Sequence, residues 1–235
     1  MFESLPEAGG MLRYGIPEYR LPKSVLDLEI AQILDLGVQL RTNVALGRDF
    51  TVASLKEEGF AAVFLGLGAW DSSKMRVQNE DAPGVLAGIE FLKQFGLRRP
   101  MNVSGTVAVV GGGNTAIDCA RTALRLGVDE VKVLYRRTRA EMPANDSEIK
   151  DAIEEGVNMQ FLIAPTKVVT GEDGTLKGIE CQRCELGEPD ASGRRSPKPI
   201  RGSEYLEPCD FIISAIGQST TVADLVDGKV PDMLP

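Results

Sequence analysis

Thr106-Val-Ala-Val-Val-Gly-Gly-Gly-Asn-Thr-Ala116 is the stretch on which the fold turns. Five β-branched or small apolar residues run into three glycines, and a helical pattern follows at once. Ile117, Ala120 and Leu124 fall on one face of that helix, and Gly127 stands where it should stop. Gly111, Gly113 and Ala116 spell G-x-G-x-x-A. The first glycine permits a tight strand-to-helix turn, the second lets backbone approach a diphosphate, and the alanine allows the helix to lie close to the strand. The helix then turns its positive end and its open N–H groups toward an anion. Gly111, Gly112, Gly113, Asn114, Thr115 and Ala116 are therefore assigned to a dinucleotide cradle. The plain alternative is a buried strand–turn–helix that holds nothing.

Working outward, the next strand, Val131-Lys-Val-Leu-Tyr135, ends in Arg136-Arg137. A site for NAD places Asp or Glu about 20 residues beyond the glycines to bind ribose hydroxyls. Guanidinium groups at that place suit a 2′-phosphate, which a carboxylate would repel. The expectation is NADP(H), against solvated surface charge as the bland reading. Residues 61–68, 106–113 and 211–217 are nearly charge-free and close on glycine, as strands of a buried parallel sheet do. Ser24 and Asp27 make a helix start signal, with Leu26, Ile30, Ile33 and Leu34 on one face and Gly37 as the stop. Another helix is expected from about Ser147 to Gly156, with Ile149, Ala152 and Ile153 turned inward. Residues 159–163, 167–170 and 175–186 read as strands, Gly171-Glu-Asp-Gly174 as a hairpin turn, and 187–199 as a polar loop with Arg194 and Arg195. The plan is α/β: a Rossmann-like, doubly wound parallel sheet with an antiparallel β insertion.

Composition narrows the chemistry. The 235 residues contain no His, so histidine-based nucleophile systems and His-ligated metal are excluded within this chain. Lys and Arg number 26 against 34 acidic residues, a balance of −8 that disfavours nucleic acid and anionic membrane. The most apolar stretch, around residues 60–70, is Gly-rich and shorter than the ~20 residues of a membrane span. The first residues, Met1-Phe-Glu-Ser-Leu-Pro-Glu7, lack the pattern of a signal peptide, and 4 cysteines do not form a disulfide framework, so a cytoplasmic setting is expected.

Several stretches together resemble one family: Gly9-Gly-Met-Leu-Arg-Tyr-Gly-Ile-Pro-Glu-Tyr-Arg-Leu-Pro22, Val109-Val-Gly-Gly-Gly-Asn-Thr-Ala-Ile-Asp118, Tyr135-Arg-Arg-Thr-Arg-Ala-Glu-Met-Pro-Ala144, Leu186-Gly-Glu-Pro-Asp-Ala-Ser-Gly-Arg-Arg195 and Ile212-Ile-Ser-Ala-Ile-Gly-Gln218. The chain resembles the small (beta) subunit of NADPH-dependent glutamate synthase and related two-dinucleotide flavoproteins, including the flavin-containing part of dihydropyrimidine dehydrogenase. The resemblance implies an FAD domain interrupted by an NADPH domain, with hydride passing from NADPH to FAD and electrons on to iron–sulfur centres. It implies that Glu3, Gly10, Met11, Arg20 and Val44 belong to the FAD site. It likewise implies that Gly113, Asn114, Thr115, Arg136 and Arg137 hold NADPH, and that Ala215, Ile216 and Gly217 line the gap between the cofactors. No residue need act as a catalytic acid, base or nucleophile.

The departures shape the expected domains. The first FAD motif before Glu3, the later Gly-Asp segment and a cysteine-rich cluster domain are missing. An internal piece is therefore expected: 1–88 a partial FAD domain, 89–213 a complete NADP(H) domain, and 214–235 a return segment. Such a chain should retain no flavin and be inactive alone, working with the rest of the flavoprotein and a large subunit or other electron acceptor. Exposed strand edges could also pair two copies into a homodimer. The competing function is an NADPH-binding or interaction module with no catalysis of its own. Cys181-Gln-Arg-Cys184 is discounted as a metal or redox motif, because positions i and i+3 of a strand face opposite ways. The acidic run 148–155 reads as an exposed helix face.

Overall fold

The computed structural model describes residues 1–191 and 193–220. The chain divides into two compact units. One is Met1–Asp71, joined by Ser219 and Thr220 among the described residues; the other is Ser72–Gln218. The part of the expected return segment beyond Thr220 lies outside the described residues. No described helix is long and apolar enough to cross a membrane.

The first unit carries helices α1 (Gly10–Tyr14), α2 (Lys23–Asp35) and α3 (Val52–Glu57). Helix α2 begins one residue before Ser24, with Pro22 as its N-cap and no side-chain cap. Asp27, expected to complete a capping signal, instead pairs with the buried Arg13. Of the expected inward face only Leu26 is buried, and Ile33 is half exposed at 50%. Residues 61–68, expected as a strand, form none. A parallel strand exists only through its neighbours, and among the described residues of its unit this segment pairs with none; Phe64 is 94% exposed.

The second unit is built in three layers. Strands β2 (Val85–Ala87), β10 (Phe211–Ser214), β3 (Thr106–Val110), β4 (Glu130–Tyr135) and β5 (Asn158–Phe161) form a parallel sheet in that order. The two-residue strands β1 (Asp71–Ser72) and β11 (Gln218–Ser219) stand where the chain passes from one unit to the other. Alternation along β3 sorts its side chains. Val107 and Val109 pack against α4 (Gly88–Gly96), α5 (Asn114–Arg125) and α6 (Asp146–Glu154) through Phe91, Ile117 and Ile149. Ala108 and Val110 face the opposite way, into a core shared with Ile163, Val168 and Ile179. Those last residues belong to an antiparallel sheet of β6 (Ile163–Thr170), β7 (Leu176–Pro189), β8 (Arg195–Pro199) and β9 (Tyr205–Pro208). The Rossmann-like sheet and its antiparallel insertion are thus as read, with the insertion, in place of helices, covering the second face.

Four details differ from the reading. Residues 187–199, expected as a polar loop, carry the end of β7 and all of β8, because Cys184–Leu186 and Pro189 pair across the hairpin with Pro197–Pro199 and Arg195. Ile153 points outward at 43% exposure, while Ile149 and Ala152 are buried. Helix α4 was not anticipated, although Ile89, Phe91 and Leu92 mark a buried face with helical spacing. The acidic run on α6 is not simply solvated. Glu148, Asp151 and Glu155 close on the Arg121 side chain of α5, with Glu155 and Arg121 at 2.7 Å and Asp151 at 3.3 Å.

Candidate functional site

Chain order runs from β3 to β4 and β5 on one side of the sheet, whereas β10 and β2 lie on the other. The direction of winding therefore reverses between β3 and β10, and the crevice beyond the carboxyl ends of such a pair is where open α/β sheets bind ligands. A cleft of about 430 Å³ lies there, within the second unit. Its wall includes Gly111, Gly112, Gly113 and Thr115 from the β3–α5 turn, Arg136 and Arg137 from the end of β4, and Ala215, Ile216 and Gly217 from the end of β10.

The three glycines have separate causes. Gly111 has φ +149°, and a Cβ there would lie 2.2 Å from the carbonyl oxygen of Ala215. A Cβ on Gly112 would lie 2.4 Å from the ring of Tyr135, whose hydroxyl donates to the Glu141 carbonyl at 2.8 Å. Both positions are closed by the protein's own packing. Gly113 differs, since a Cβ there would meet nothing nearer than Pro143 at 3.9 Å. It is also the N-cap of α5, no side chain caps that helix, and its first turn carries no acidic residue. The helix end is therefore open to an anion, which is the fit a diphosphate requires.

Asn114 and Ala116 do not reach the cleft wall. The Asn114 carboxamide oxygen accepts the N–H of Asn145 at 3.0 Å, and the Ala144 N–H donates to the Gly112 carbonyl at 3.2 Å. The segment after β4 is thereby fastened onto the glycine turn. Ala116 is fully buried beneath Gly111, where its small side chain sets the helix against the strand. Gln218, which the sequence did not single out, donates through Nε2 to the Thr115 hydroxyl at 3.2 Å and ties the β10 end to the same turn.

The two arginines go different ways. Arg136 is exposed on the cleft wall and makes no hydrogen bond or ion pair among the described residues. Arg137 is buried, donates from Nε to the Arg195 carbonyl at 2.7 Å, and pairs through Nη2 with Asp190 at 2.6 Å. Arg194 also lines the cleft, a position that sequence spacing alone could not give, because it arrives on the β7–β8 hairpin.

The residues expected to face FAD lie in the first unit. Glu3 and Val44 meet there, the Val44 N–H donating to the Glu3 carbonyl at 3.0 Å. One Glu3 carboxylate oxygen is occupied locally by the Leu5 N–H at 2.8 Å. Gly10 opens α1 with φ +48° and no atom within 4 Å of a would-be Cβ, and Met11 follows it in that helix. Arg20 is half buried, just before α2. Gly9 and Gly15 are explained by packing, since a Cβ would collide with Leu26 and Met11 respectively. No strand–glycine turn–helix cradle occurs among the described residues of this unit. Among the described residues, the second unit thus offers a strand–glycine turn–helix end open to a diphosphate, and the first offers none.

All four cysteines are buried thiols, and burial pushes Cys181 and Cys209 up to about 12. No group of residues suited to a metal ion occurs among the described residues.

The chain is 48% identical over 233 residues to the NADP(+)-dependent formate dehydrogenase subunit beta of Moorella thermoacetica, matching 98% of this chain and 32% of that protein. It is 39% identical over 228 residues to the glutamate synthase [NADPH] small chain of Escherichia coli, covering 92% of this chain and 48% of that one. The chain thus spans about a third to a half of such relatives. The solved structure of Mycobacterium tuberculosis FprA in complex with NADPH superposes with a TM-score of 0.79 at 20% identity, over 93% of this chain and 63% of that one, a likeness of fold. The profile of the pyridine nucleotide-disulphide oxidoreductases matches residues 6–231, and the chain belongs to that family.

Proposed function

We propose that the second unit is the NADP(H) site of a flavin-dependent oxidoreductase, in which hydride passes to FAD held by the complete protein and electrons continue to iron–sulfur centres. The observation that carries this reading is the uncapped N-terminus of α5 behind Gly113, opening into a cleft that Arg136 borders. Both relatives named above carry NADP(+) or NADPH in their names, while their reactions differ, so the coenzyme is the shared element.

Bound in this cleft, the reduced coenzyme supplies a hydride. The chain's own residues hold and orient it. The backbone of Gly113 and the first turn of α5 bind the diphosphate. Arg136 binds the phosphate that distinguishes NADP(H) from NAD(H). Ala215, Ile216 and Gly217 form the wall of the cleft on the side of β10, fixed by the Ala215 N–H donating to the Val110 carbonyl at 2.8 Å. Orientation of this kind is the protein's share in cofactor-to-cofactor transfer. We place Glu3, Gly10, Met11, Arg20 and Val44 toward FAD, and the final acceptor, large subunit or otherwise, in the remainder of the assembly.

Arg136→Glu tests the coenzyme assignment. NADPH affinity should fall by about tenfold or more, the scale of a lost charge-assisted hydrogen bond, with NADH affinity scarcely changed. Equal losses for both coenzymes, measured by titration, would contradict the role given to Arg136. Dye reduction by NADPH with added FAD, by the chain within its complete assembly, separates catalysis from mere coenzyme binding.

A further inference from the structure

The β7–β8 hairpin reaches from the antiparallel sheet back to the end of β4. Its tip closes on itself, with the Asp190 N–H donating to the Arg194 carbonyl at 2.8 Å and the Gly193 N–H to the Asp190 carbonyl at 2.9 Å. The tip is then fastened at two points by one side chain. Arg137, buried at the end of β4, holds the Asp190 carboxylate at 2.6 Å and the Arg195 carbonyl at 2.7 Å. Arg195 in turn donates to the Leu186 carbonyl at 3.2 Å, bracing the two arms of the hairpin. Between these fixed points stands Arg194, half buried and on the cleft wall that Arg136 also borders.

We propose that Arg194 is a second anion-binding residue of this cleft, selecting the 2′-phosphate of NADP(H) together with Arg136, and that Asp190 is a positioning residue which, through Arg137, holds the hairpin tip where Arg194 can act. The inference rests on the coenzyme reading above. A guanidinium on a free loop must be ordered before it binds, whereas one on a tip already clamped by a buried ion pair has met much of that cost in advance. The arrangement also gives the paired arginines distinct work: Arg136 faces the ligand, and Arg137 sets the geometry of the loop that delivers Arg194.

Asp190 supplies a test with opposed signs. Its carboxylate stands beside a site for a dianion, so on Coulombic grounds alone Asp190→Asn should strengthen phosphate binding. A positioning role demands the reverse. The experiment measures, on the full chain, the affinities of 2′,5′-ADP and 5′-ADP for the wild type, Arg194→Ala, Arg194→Lys and Asp190→Asn. The expected result is that Arg194→Ala weakens 2′,5′-ADP by about tenfold to a hundredfold with little change for 5′-ADP. Arg194→Lys should recover part of that loss. Asp190→Asn should weaken 2′,5′-ADP selectively, and combining it with Arg194→Ala should add nothing further. If the wild type prefers 2′,5′-ADP but Arg194→Ala is neutral, or Asp190→Asn tightens binding or weakens both nucleotides equally, this inference is overturned and the coenzyme reading stands. If the wild type shows no preference for 2′,5′-ADP, both are overturned.

Discussion

Gly111 and Gly112 are glycine because the surrounding protein leaves no room, and Gly113 is glycine where the cleft begins. That distinction predicts different failures. Gly111→Ala would force a methyl group against the Ala215 backbone, which cannot yield without disturbing the β3–β10 pairing, in a conformation that L residues rarely adopt. It should lower stability by about 2 kcal/mol or more, read from the urea midpoint. Gly113→Ala should leave that midpoint nearly unchanged while weakening NADPH binding, read by titration. An unchanged coenzyme affinity in the stable Gly113→Ala protein would argue against diphosphate contact at this turn.

At the scale of elements, the α5–α6 contact is held by charge as well as by the burial of Ile117 and Ile149. Arg125 and Arg121 lower the Glu155 carboxyl from 4.5 to about 2 by hydrogen bonds. Because its folded value lies below its unfolded one, the stabilisation is complete above about pH 4.5 and is lost as pH falls toward 2. Glu155→Gln should therefore be less stable than wild type by about 1–2 kcal/mol at neutral pH, allowing for solvent screening, and the gap should shrink as pH falls from about 4.5 and close below about pH 2. A gap independent of pH would remove the carboxylate from the account.

Local chemistry decided what could be read in advance among these elements. The β3–α5 turn was legible because strand, glycines and helix are contiguous, each residue constrained by its immediate neighbours. Residues 61–68 carry the composition of a buried strand, yet a strand is a property of pairs, and no described residue of their unit pairs with them. The Arg121 clamp and the Arg137–Asp190 pair join residues far apart in sequence, so charge pattern alone read one as a solvated face and left the other unseen. Asn114 was placed in the cradle by its position in the motif, which could not show that its carboxamide oxygen accepts the Asn145 N–H.

For the whole molecule, the two units differ in how much they bury. Among the described residues, nearly all the fully enclosed aliphatic ones, such as Ile117, Leu134, Ile179 and Ile212, belong to Ser72–Gln218, whereas Met1–Asp71 buries Ala8, Tyr14, Leu26 and Leu55 and exposes Leu28, Leu36 and Phe64. Local stability follows enclosed apolar area, so limited proteolysis should cut the first unit well before the second. Simultaneous loss of both would contradict that ranking. The first unit also lacks a diphosphate cradle among its described residues, and the chain purified alone should release flavin on desalting. A stoichiometric flavin absorption band that persists would overturn this.

Hydrogen exchange of the full chain with and without saturating NADPH tests the central claim most directly. Slowed exchange concentrated in residues 111–116 is the result this account predicts. Unaltered exchange there, with the coenzyme protecting some other part of the chain or none, would contradict it.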